Sequence, residues 1–272
     1  MSESIVFHNT PVYYQTAGSG PWVVLLHGFL ESSEIWDTFV SQLQADFSVL
    51  MVDLPGHGRS GVVDETHSME LMAECVLAIT DQLGIDEFAV CGHSMGGYVS
   101  LQLASFHPEK VEGIVLFHSH AAPDDEQAKE NRRRTINIVT LNRSNFIHQF
   151  IPDLFAEENK ERLAGKIEIL QNRAASTSAK SIVAALRGMM ERKGSLDYLL
   201  STEKPVFFII GKQDSRMPYN KIIAQAMLPA HAEILLLDKV GHMGFLEAPE
   251  ITFPAISDFF KRNLKKRLTN LG

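Results

Sequence analysis

Six short apolar runs recur along the chain, and longer helical patterns fill most of the intervals between them. The runs do not alternate polar with apolar residues, which is typical of strands buried on both faces of a parallel sheet. We expect eight strands, near residues 3–8, 11–16, 22–26, 47–52, 86–91, 111–117, 205–210 and 232–237. The first two predict an antiparallel hairpin at the sheet edge. The alternation predicts an α/β fold with a mostly parallel, eight-stranded sheet flanked by helices.

The regular alternation of strands and helices stops between residues 119 and 204. Core helices are expected near 34–45, 67–83, 95–107, 219–228 and 249–267. The intervening stretch contains no convincing strand, and its apolar residues at 182, 186, 189 and 190 form one stripe of a helix. We therefore predict one core, built from residues 1–118 and 205–272. Residues 119–204 are predicted to be a helical cap of about four helices, inserted after the sixth strand.

Composition and charge exclude several classes of protein. Lys and Arg number 25 against 33 Asp and Glu, a net charge of −8, which argues against binding the phosphate backbone of a nucleic acid. The apolar runs are too short to cross a membrane, and the first ten residues do not resemble a signal peptide. Two cysteines argue against a disulfide scaffold. We expect a cytoplasmic globular protein without a membrane or nucleic-acid partner.

The sequence Gly-His-Ser-Met-Gly at residues 92–96 lies between an apolar β run and a helical stretch. In this context it is the pattern of a nucleophile elbow, a sharp strand-to-helix turn. Side chains at 92 or 96 would collide with neighbouring elements, and Gly97 lets the helix pack close to the sheet. The turn presents the Ser94 hydroxyl above the sheet, at the positive end of the helix. The alternative interpretation is a glycine-rich turn without chemistry.

A serine hydroxyl is a weak nucleophile, so it needs a base, and the base needs an orienting acid. Asp214 follows the seventh predicted strand, and His242 follows the eighth. Both lie at carboxyl ends of strands, where Ser94 also emerges, in the chain order serine, acid, histidine. Alone, each has a structural interpretation, but together they predict a catalytic triad. Asp124 and Asp125 are the alternative acids, although they look like the start of a helix.

The third predicted strand ends in His-Gly-Phe at residues 27–29. In this architecture, the oxyanion hole takes one backbone N–H from this loop and one from the residue after the nucleophile. Those are the N–H groups of Phe29 and Met95. We interpret His27 as structural, holding neighbouring loops together.

Together, these motifs resemble those of the α/β-hydrolase superfamily, specifically its capped serine hydrolases. The likeness rests on LLHGF (25–29), VDLPGHGRS (52–60), GHSMGG (92–97), GKQD (211–214) and GHMGFLEAPE (241–250). It implies that Ser94 attacks a carbonyl carbon, His242 takes the proton, and Asp214 orients the histidine. It implies no metal or organic cofactor, and a structural role for the loop 52–60.

The resemblance implies a carboxylesterase that cleaves a small or medium acyl ester. Alternatives on the same fold are a carbon–carbon bond hydrolase, a menaquinone-pathway lyase, a cofactor-free perhydrolase and a ligand receptor without turnover. Such lyases carry an arginine after the elbow glycines, where this chain has Tyr98, which argues against a lyase. Relatives with an aspartate nucleophile are disfavoured because position 94 is serine.

An insertion at this position lies over the nucleophile in that superfamily and sets substrate choice. Met189 and Met190 are candidates for lining an acyl pocket, since methionine adapts to varied shapes. Packing of the cap against the core is the alternative, and we favour it. His118, just beyond the sixth strand, is a candidate for substrate contact. His118 and His120 have no accompanying carboxylate or cysteine pattern, so we expect no metal site.

Arg132, Arg133 and Arg134 form a concentrated basic patch in the insertion. A solvated helix face is the simplest interpretation. The sharper hypothesis is a docking site for an acidic carrier protein, by analogy with capped esterases that act on carrier-bound acyl chains. The expected substrate is a small-molecule ester or carbonyl compound. The sequence leaves the oligomeric state open.

Overall fold

The computed structural model describes residues 2–264 and contains one eight-stranded sheet. The strands are β1 (Ser2–Phe7), β2 (Thr10–Gly18), β3 (Trp22–Leu26), β4 (Ser48–Val52), β5 (Phe88–His93), β6 (Val111–Phe117), β7 (Val206–Gly211) and β8 (Ala232–Leu237). Their order is β1-β2-β4-β3-β5-β6-β7-β8. Strand β2 is antiparallel to both of its neighbours, and the remaining pairs are parallel. This arrangement confirms the predicted sheet, including the hairpin at its edge.

Burial explains why the central strands carry no alternation. Every residue of β4, β5 and β7 is buried, because helices cover both faces of the sheet there. Strand β8 lies at the edge and alternates between more and less exposed residues. Its Ile234 and Leu236 are among the exposed large apolar side chains.

The core helices begin and end close to the predicted positions. They are α1 (Asp37–Leu43), α2 (Met69–Gln82), α3 (Met95–Phe106), α9 (Tyr219–Ala226), α10 (Gly244–Glu247) and α11 (Pro249–Asn263). The helix predicted at 34–45 starts instead with a 3-10 turn, Ser33–Trp36. The predicted last helix ran to residue 267, and its part beyond residue 264 lies outside the described residues. Within the described chain, no helix combines the length and apolar character needed to span a membrane.

The segment between β6 and β7 is helical throughout, with no strand among residues 119–204, all of which are described. Its helices are α4 (Glu126–Phe150), α5 (Glu157–Lys160), α6 (Ala164–Ala174), α7 (Ala179–Glu191) and α8 (Leu196–Ser201). Asp125 caps α4 by accepting the Ala128 N–H at 2.8 Å. Helix α4 breaks at Asn142, whose side chain accepts the Asn145 N–H at 3.1 Å and so caps the second half. The segment therefore has five α-helices, the first of them broken at Asn142, and a 3-10 turn at Pro152–Leu154, rather than about four helices.

The parallel strands set where the functional loops meet. Strands β3, β5, β7 and β8 point the same way, so their carboxyl ends lie along one edge of the sheet. The loops that leave these ends carry Phe29, Ser94, Asp214 and His242. Four distant parts of the chain therefore converge at one place.

Candidate active site

Ser94 occupies a strained turn between β5 and α3. Its backbone has φ 51° and ψ −115°, in the left-handed half of the map that non-glycine residues seldom adopt. Its N–H donates to the Phe117 carbonyl at 2.9 Å, and the Ser119 hydroxyl donates to its carbonyl at 2.7 Å. Hydrogen bonds from β6 and the residue beyond it therefore maintain the turn. The sequence did not predict the contribution of Ser119.

The glycines of the turn are required by close backbone approaches. A Cβ at Gly92 would lie 2.2 Å from the Gly96 carbonyl oxygen, and a Cβ at Gly96 would lie 2.4 Å from that of Leu26. A Cβ at Gly97 would lie 2.3 Å from the Ser119 hydroxyl. These distances are below any real Cβ contact, so helix α3 approaches the sheet this closely only because all three residues lack a side chain.

Asp214 and His242 form a buried hydrogen-bonded pair. His242 Nδ1 lies 2.7 Å from Asp214 Oδ2. The other carboxylate oxygen, Oδ1, accepts the N–H groups of Arg216 at 2.8 Å and Met217 at 2.9 Å. Burial alone would raise the pKa of Asp214, but the charge of His242, together with hydrogen bonds from His242 and His118, lowers it strongly. The ionised carboxylate therefore holds the proton of His242 on Nδ1 and leaves Nε2 as a proton acceptor.

Ser94 and His242 line the same cavity, together with Phe29. The structure thus brings the three predicted triad residues and the predicted oxyanion loop to one site. Within residues 2–264, no hydrogen bond joins the Ser94 hydroxyl to the His242 ring. In enzymes without substrate this contact is often long, and it tightens when the substrate binds.

Glu247 organises the loop that carries His242. Its buried carboxylate accepts the Gly241 N–H at 3.0 Å and the Met243 N–H at 3.0 Å, on either side of the histidine. The same carboxylate accepts the Ala156 N–H at 2.9 Å, so it also ties this loop to the helical insertion. The sequence analysis included Glu247 in the motif GHMGFLEAPE but assigned it no role, because the motif does not indicate its contacts.

The Glu31 carboxylate and the His93 ring form a second buried acid–histidine pair beside the first. Glu31 Oε2 lies 2.9 Å from His93 Nδ1, and His93 Nε2 lies 2.8 Å from the carbonyl oxygen of His242. The carbonyl oxygen of His242 can only accept, so His93 donates from Nε2, and an ionised Glu31 accepts a second N–H from Nδ1 of the imidazolium. Burial alone would lower the pKa of His93, but the charge and hydrogen bond of Glu31 raise it. In turn, burial would raise the pKa of Glu31, and His93 lowers it.

Glu31 also shapes the loop after β3. Its Oε2 accepts the Gly28 N–H at 2.6 Å, and a Cβ at Gly28 would lie only 2.9 Å from His93 Nδ1. Within the described part of the chain, the N–H groups of Phe29 and Met95 donate to no protein acceptor. Two backbone donors are thus available beside Ser94, as the sequence predicted for an oxyanion hole. His27 joins this loop to the next by accepting the Leu54 N–H at 3.0 Å.

The structure does not bring His118 to the cavity. Its fully buried ring lies behind the triad acid, with Nδ1 3.4 Å from Asp214 Oδ2. The N–H groups of Gly211 and Gly244 approach its two ring nitrogens at 3.2 Å each. The residue directly after the sixth strand therefore packs against Asp214 and does not line the cavity.

The cavity has a volume of about 510 Å³ and is bounded by both the core and the insertion. Its apolar wall consists of Phe29, Phe150, Leu154, Leu186, Met189 and Met217. Met189 lines the cavity, whereas the sequence analysis had favoured packing of the insertion against the core for this residue. Among the described residues Met190 does not line the cavity. The two methionines are adjacent on α7, so only one of them faces inward.

Polar and charged side chains also line the cavity, and the buried ones among them are paired. Asp124, one of the alternative acids, binds Arg192 at 2.6 Å and also binds Arg132. The Asp124 carboxylate therefore pairs with arginines of the insertion and makes no hydrogen bond to His242. Tyr98 and His120 lie nearby, with the Tyr98 hydroxyl 3.3 Å from His120 Nε2. Burial lowers the pKa of His120 to about 3, so this ring is neutral at physiological pH.

No cluster of metal-binding side chains occurs among residues 2–264. Asp53 and Gly58 belong instead to a structural loop, as expected for the segment 52–60. Asp53 accepts the Ser33 N–H at 2.8 Å and the Arg59 N–H at 3.1 Å.

Comparison with known proteins identifies the family of the chain. The family model described as the alpha/beta hydrolase fold matches residues 21–249. The chain belongs to the α/β-hydrolase family. Several of its relatives are named as esterases and hydrolases, and the chain is an enzyme with the α/β-hydrolase fold.

Three similar proteins illustrate the range of proteins that this α/β-hydrolase resembles. A pimeloyl-[acyl-carrier protein] methyl ester esterase of Nitrosomonas europaea is 27% identical over 246 residues, which cover 88% of this chain and 95% of that protein. A thermophilic esterase from Thermogutta terrifontis, solved with malate bound, is 28% identical with a TM-score of 0.90, covering 97% of this chain and 100% of that one. The enol-lactonase from Burkholderia xenovorans LB400 has a TM-score of 0.88 over 95% of this chain and 100% of that one. At 20% identity, the lactonase supports the fold alone.

Proposed function

We propose that this α/β-hydrolase cleaves carboxylic esters with a small or medium acyl group, through an acyl-enzyme on Ser94. The observation that carries the proposal is the buried Asp214–His242 hydrogen bond of 2.7 Å, facing the cavity into which the strained turn presents Ser94. Backbone strain at a non-glycine residue is retained where function needs it. An ionised acid, an oriented histidine and an exposed serine are the parts of a nucleophilic hydrolase.

The reaction follows from the protonation states at the site. His242 Nε2 takes the Ser94 proton as the serine oxygen attacks the ester carbonyl, and Asp214 stabilises the imidazolium that forms. The N–H groups of Phe29 and Met95 bind the developing oxyanion. Collapse of the tetrahedral intermediate expels the alcohol, which takes its proton from His242. Water then repeats the sequence on the acyl-enzyme and releases the acid. These steps use only side chains and backbone groups of this chain.

Hydrolysis of p-nitrophenyl esters, from acetate to decanoate, tests the proposal. The Ser94→Ala variant should lose all turnover above the background of the buffer, while Ser176→Ala, on the exposed surface, should keep it. A fluorophosphonate should phosphonylate Ser94 with loss of HF, so that intact-mass spectrometry shows the mass of the reagent minus HF added to the wild type and not to Ser94→Ala. The chain length with the highest kcat/KM then measures how much acyl chain the cavity accepts.

Two outcomes contradict the proposal. Unchanged activity in Ser94→Ala would mean that the serine is not the nucleophile. A folded wild type without turnover on any ester would favour carbon–carbon bond hydrolysis, lyase or perhydrolase chemistry, or a receptor that binds ligand without converting it.

A carrier-bound acyl ester is the second candidate substrate. Relatives in Nitrosomonas europaea and Klebsiella pneumoniae are named as acting on an acyl-carrier protein ester. In this chain the three arginines of the basic patch do not act together. Arg132 binds Asp124 at the cavity. Arg133 and Arg134 lie beside Glu130, and their side chains are 51% and 67% exposed. An acidic carrier would meet the outer pair. The double charge reversal Arg133→Glu and Arg134→Glu should lower activity on a carrier-bound ester and leave p-nitrophenyl ester turnover intact. Equal loss on both substrates would contradict the docking role.

A further inference from the structure

A cationic side chain lies on the apolar wall of the cavity. Arg216 follows Asp214 by two residues, and its guanidinium carbon lies 4.5 Å from the centre of the Phe150 ring. Phe150 in turn packs edge-on against Phe29, with ring centres 5.7 Å apart. This stack places the guanidinium on the wall that also carries the oxyanion loop. Stacking on an aromatic face orients a guanidinium without occupying its N–H donors.

The charges that line the cavity differ in how well they are paired. Asp124 is held by two arginines, and Glu31 is held by His93. Lys221 is 70% exposed and lies 3.8 Å from Asp125. The nearest acid to the Arg216 guanidinium is Asp153, also at 3.8 Å and itself 65% exposed. Its charge is thus only loosely compensated.

The guanidinium of Arg216 has unused hydrogen-bonding capacity. Across residues 2–264, none of its side-chain N–H groups donates a hydrogen bond, and only its backbone N–H does, to Asp214. Its side chain is 36% exposed, so much of it is removed from water. Burial lowers the pKa of Arg216, and the charges of Asp153 and Asp214 oppose that shift only in part. A guanidinium held in place by an aromatic ring, with its N–H groups bound to no acceptor among the described residues, can bind a carboxylate in the cavity without first breaking a close internal ion pair.

We propose that Arg216 is a carboxylate-binding subsite and that the preferred substrates are monoesters of dicarboxylic acids. This inference rests on the proposed ester hydrolysis at Ser94 and extends it to a substrate class. The ester carbonyl lies at Ser94, the methylene chain lies along the apolar wall, and the distal carboxylate accepts two N–H groups of the planar guanidinium. An ionised carboxylate matches that fork in both charge and geometry. A neutral acyl chain of equal length leaves the guanidinium unpaired.

Paired substrates test the subsite. The wild type is assayed on monomethyl esters of dicarboxylic acids of increasing length, and on methyl esters of monocarboxylic acids of matched length. Arg216→Gln removes the charge and the guanidinium fork but leaves a shorter polar side chain, and it should lower kcat/KM for the anionic esters by about 10- to 100-fold relative to the neutral ones, mainly through KM. The ratio of kcat/KM on the anionic esters to kcat/KM on the neutral esters of equal length should therefore fall by about 10- to 100-fold, whatever the substitution costs both classes in common.

Two further variants separate charge from geometry and location. Arg216→Lys keeps the positive charge without the fork, and it should recover part of the loss on the anionic esters. Lys221→Gln removes the other loosely paired cation of the cavity, and it should leave the ratio of kcat/KM on anionic esters to kcat/KM on neutral esters within about threefold of the wild type's. Equal loss on both classes in Arg216→Gln would overturn the subsite, and so would an unchanged preference for the anionic esters.

Binding distinguishes a failed subsite from a failed mechanism. If the wild type hydrolyses no ester, the proposed function is wrong, and calorimetric titration of adipate into the Ser94→Ala protein still tests the subsite. Binding that disappears in the Ser94→Ala, Arg216→Gln double variant supports it. Equal binding by the two proteins overturns it.

Discussion

Replacing Glu31 by glutamine removes the charge of the second acid–histidine pair while preserving its shape. The carboxylate lies 2.9 Å from His93 and 2.6 Å from the Gly28 N–H, and both side chains of the pair are within 3% of full burial. Removing one partner of a buried ion pair costs about 3–5 kcal/mol. Because the amide oxygen can still accept one of these hydrogen bonds, we expect the lower end, a loss of about 3 kcal/mol in the free energy of unfolding.

The same substitution should impair catalysis, since His93 donates to the carbonyl oxygen of His242. Without the Glu31 charge, the buried ring of His93 loses its second proton at neutral pH. It then loses one of its two hydrogen bonds, either to position 31 or to the loop of His242. A misplacement of a catalytic group by about 1 Å costs about 100-fold. We therefore expect kcat/KM on a p-nitrophenyl ester to fall by about 10- to 100-fold, with kcat affected more than KM.

The difference in unfolding free energy between the wild type and Glu31→Gln should depend on pH, which a purely steric effect would not produce. The pKa of His93 is raised, so its stabilising charge is fully present below pH 6.5 and is lost as the pH rises through the folded pKa. The pKa of Glu31 is lowered, so its contribution is present above pH 4.5 and is lost as the pH falls below that value. The difference in unfolding free energy between wild type and Glu31→Gln should therefore shrink at alkaline pH.

Urea unfolding followed by circular dichroism measures the stability, and initial rates measure the activity. Glu34→Gln is the matched control, because Glu34 pairs with Arg173 at 2.8 Å on the surface, where both side chains are more than 40% exposed. Such exposed pairs contribute about 0–1 kcal/mol. If Glu31→Gln loses no more stability than Glu34→Gln and keeps kcat/KM within about twofold, the positioning role assigned to the pair is refuted.

Three further predictions concern the triad, the fit of the insertion and acid stability. Asp214→Asn should lower kcat on a p-nitrophenyl ester by about 10⁴-fold with little change in KM, and a loss below tenfold would contradict its role. In Gly188→Ala the new Cβ would lie 1.7 Å from the His67 carbonyl oxygen, so its thermal midpoint should drop sharply or the protein should not fold. Gly165→Ala, with nothing within 4 Å, should instead gain about 0.5–1 kcal/mol. Burial lowers the pKa values of His57 to about 3 and His67 to about 4, which disfavours their protonation in the folded state. The free energy of unfolding should therefore fall below pH 6.5 by up to about 1.4 kcal/mol per pH unit for each histidine, and a flat urea-denaturation profile between pH 6.5 and 4.5 would contradict this.

The features that could be predicted from the sequence are those that a short segment determines. Strands buried on both faces produce continuous apolar runs, and parallel strands end at one edge of the sheet whatever lies between them. That topology alone places Ser94, Asp214 and His242 in neighbouring loops. The requirement for Gly92 and Gly96 follows in the same way, because it comes from backbone atoms within one turn and an adjacent strand.

The residues that the sequence did not reveal act across long separations. Glu31 and His93 are 62 positions apart, and Glu247 and Ala156 are 91 apart. No local pattern distinguishes a carboxylate that will be buried from one that will face water, since both occur in polar loop sequences. For His118, the local sequence suggested a role that the three-dimensional packing does not support. Its position after a strand suggested a place in the cavity, yet the depth at which a strand ends depends on the packing of its neighbours.

Two buried carboxylates, those of Glu31 and Glu247, hold the loops around Ser94 and His242 in place. Glu31 connects the oxyanion loop, through His93, to the carbonyl oxygen of His242. Glu247 connects the N–H groups flanking His242 to the insertion at Ala156, and the His242 N–H itself donates to the Leu154 carbonyl at 2.7 Å. The insertion therefore has two parts with different roles, one that lines the cavity and one that holds the loop of His242. Substitutions at cavity-facing positions such as Met189 change which substrate fits, whereas substitutions near residues 154–159 displace His242 and lower turnover for every substrate. A comparison of kcat/KM ratios across an ester series separates the two effects, because only the first alters the ratios.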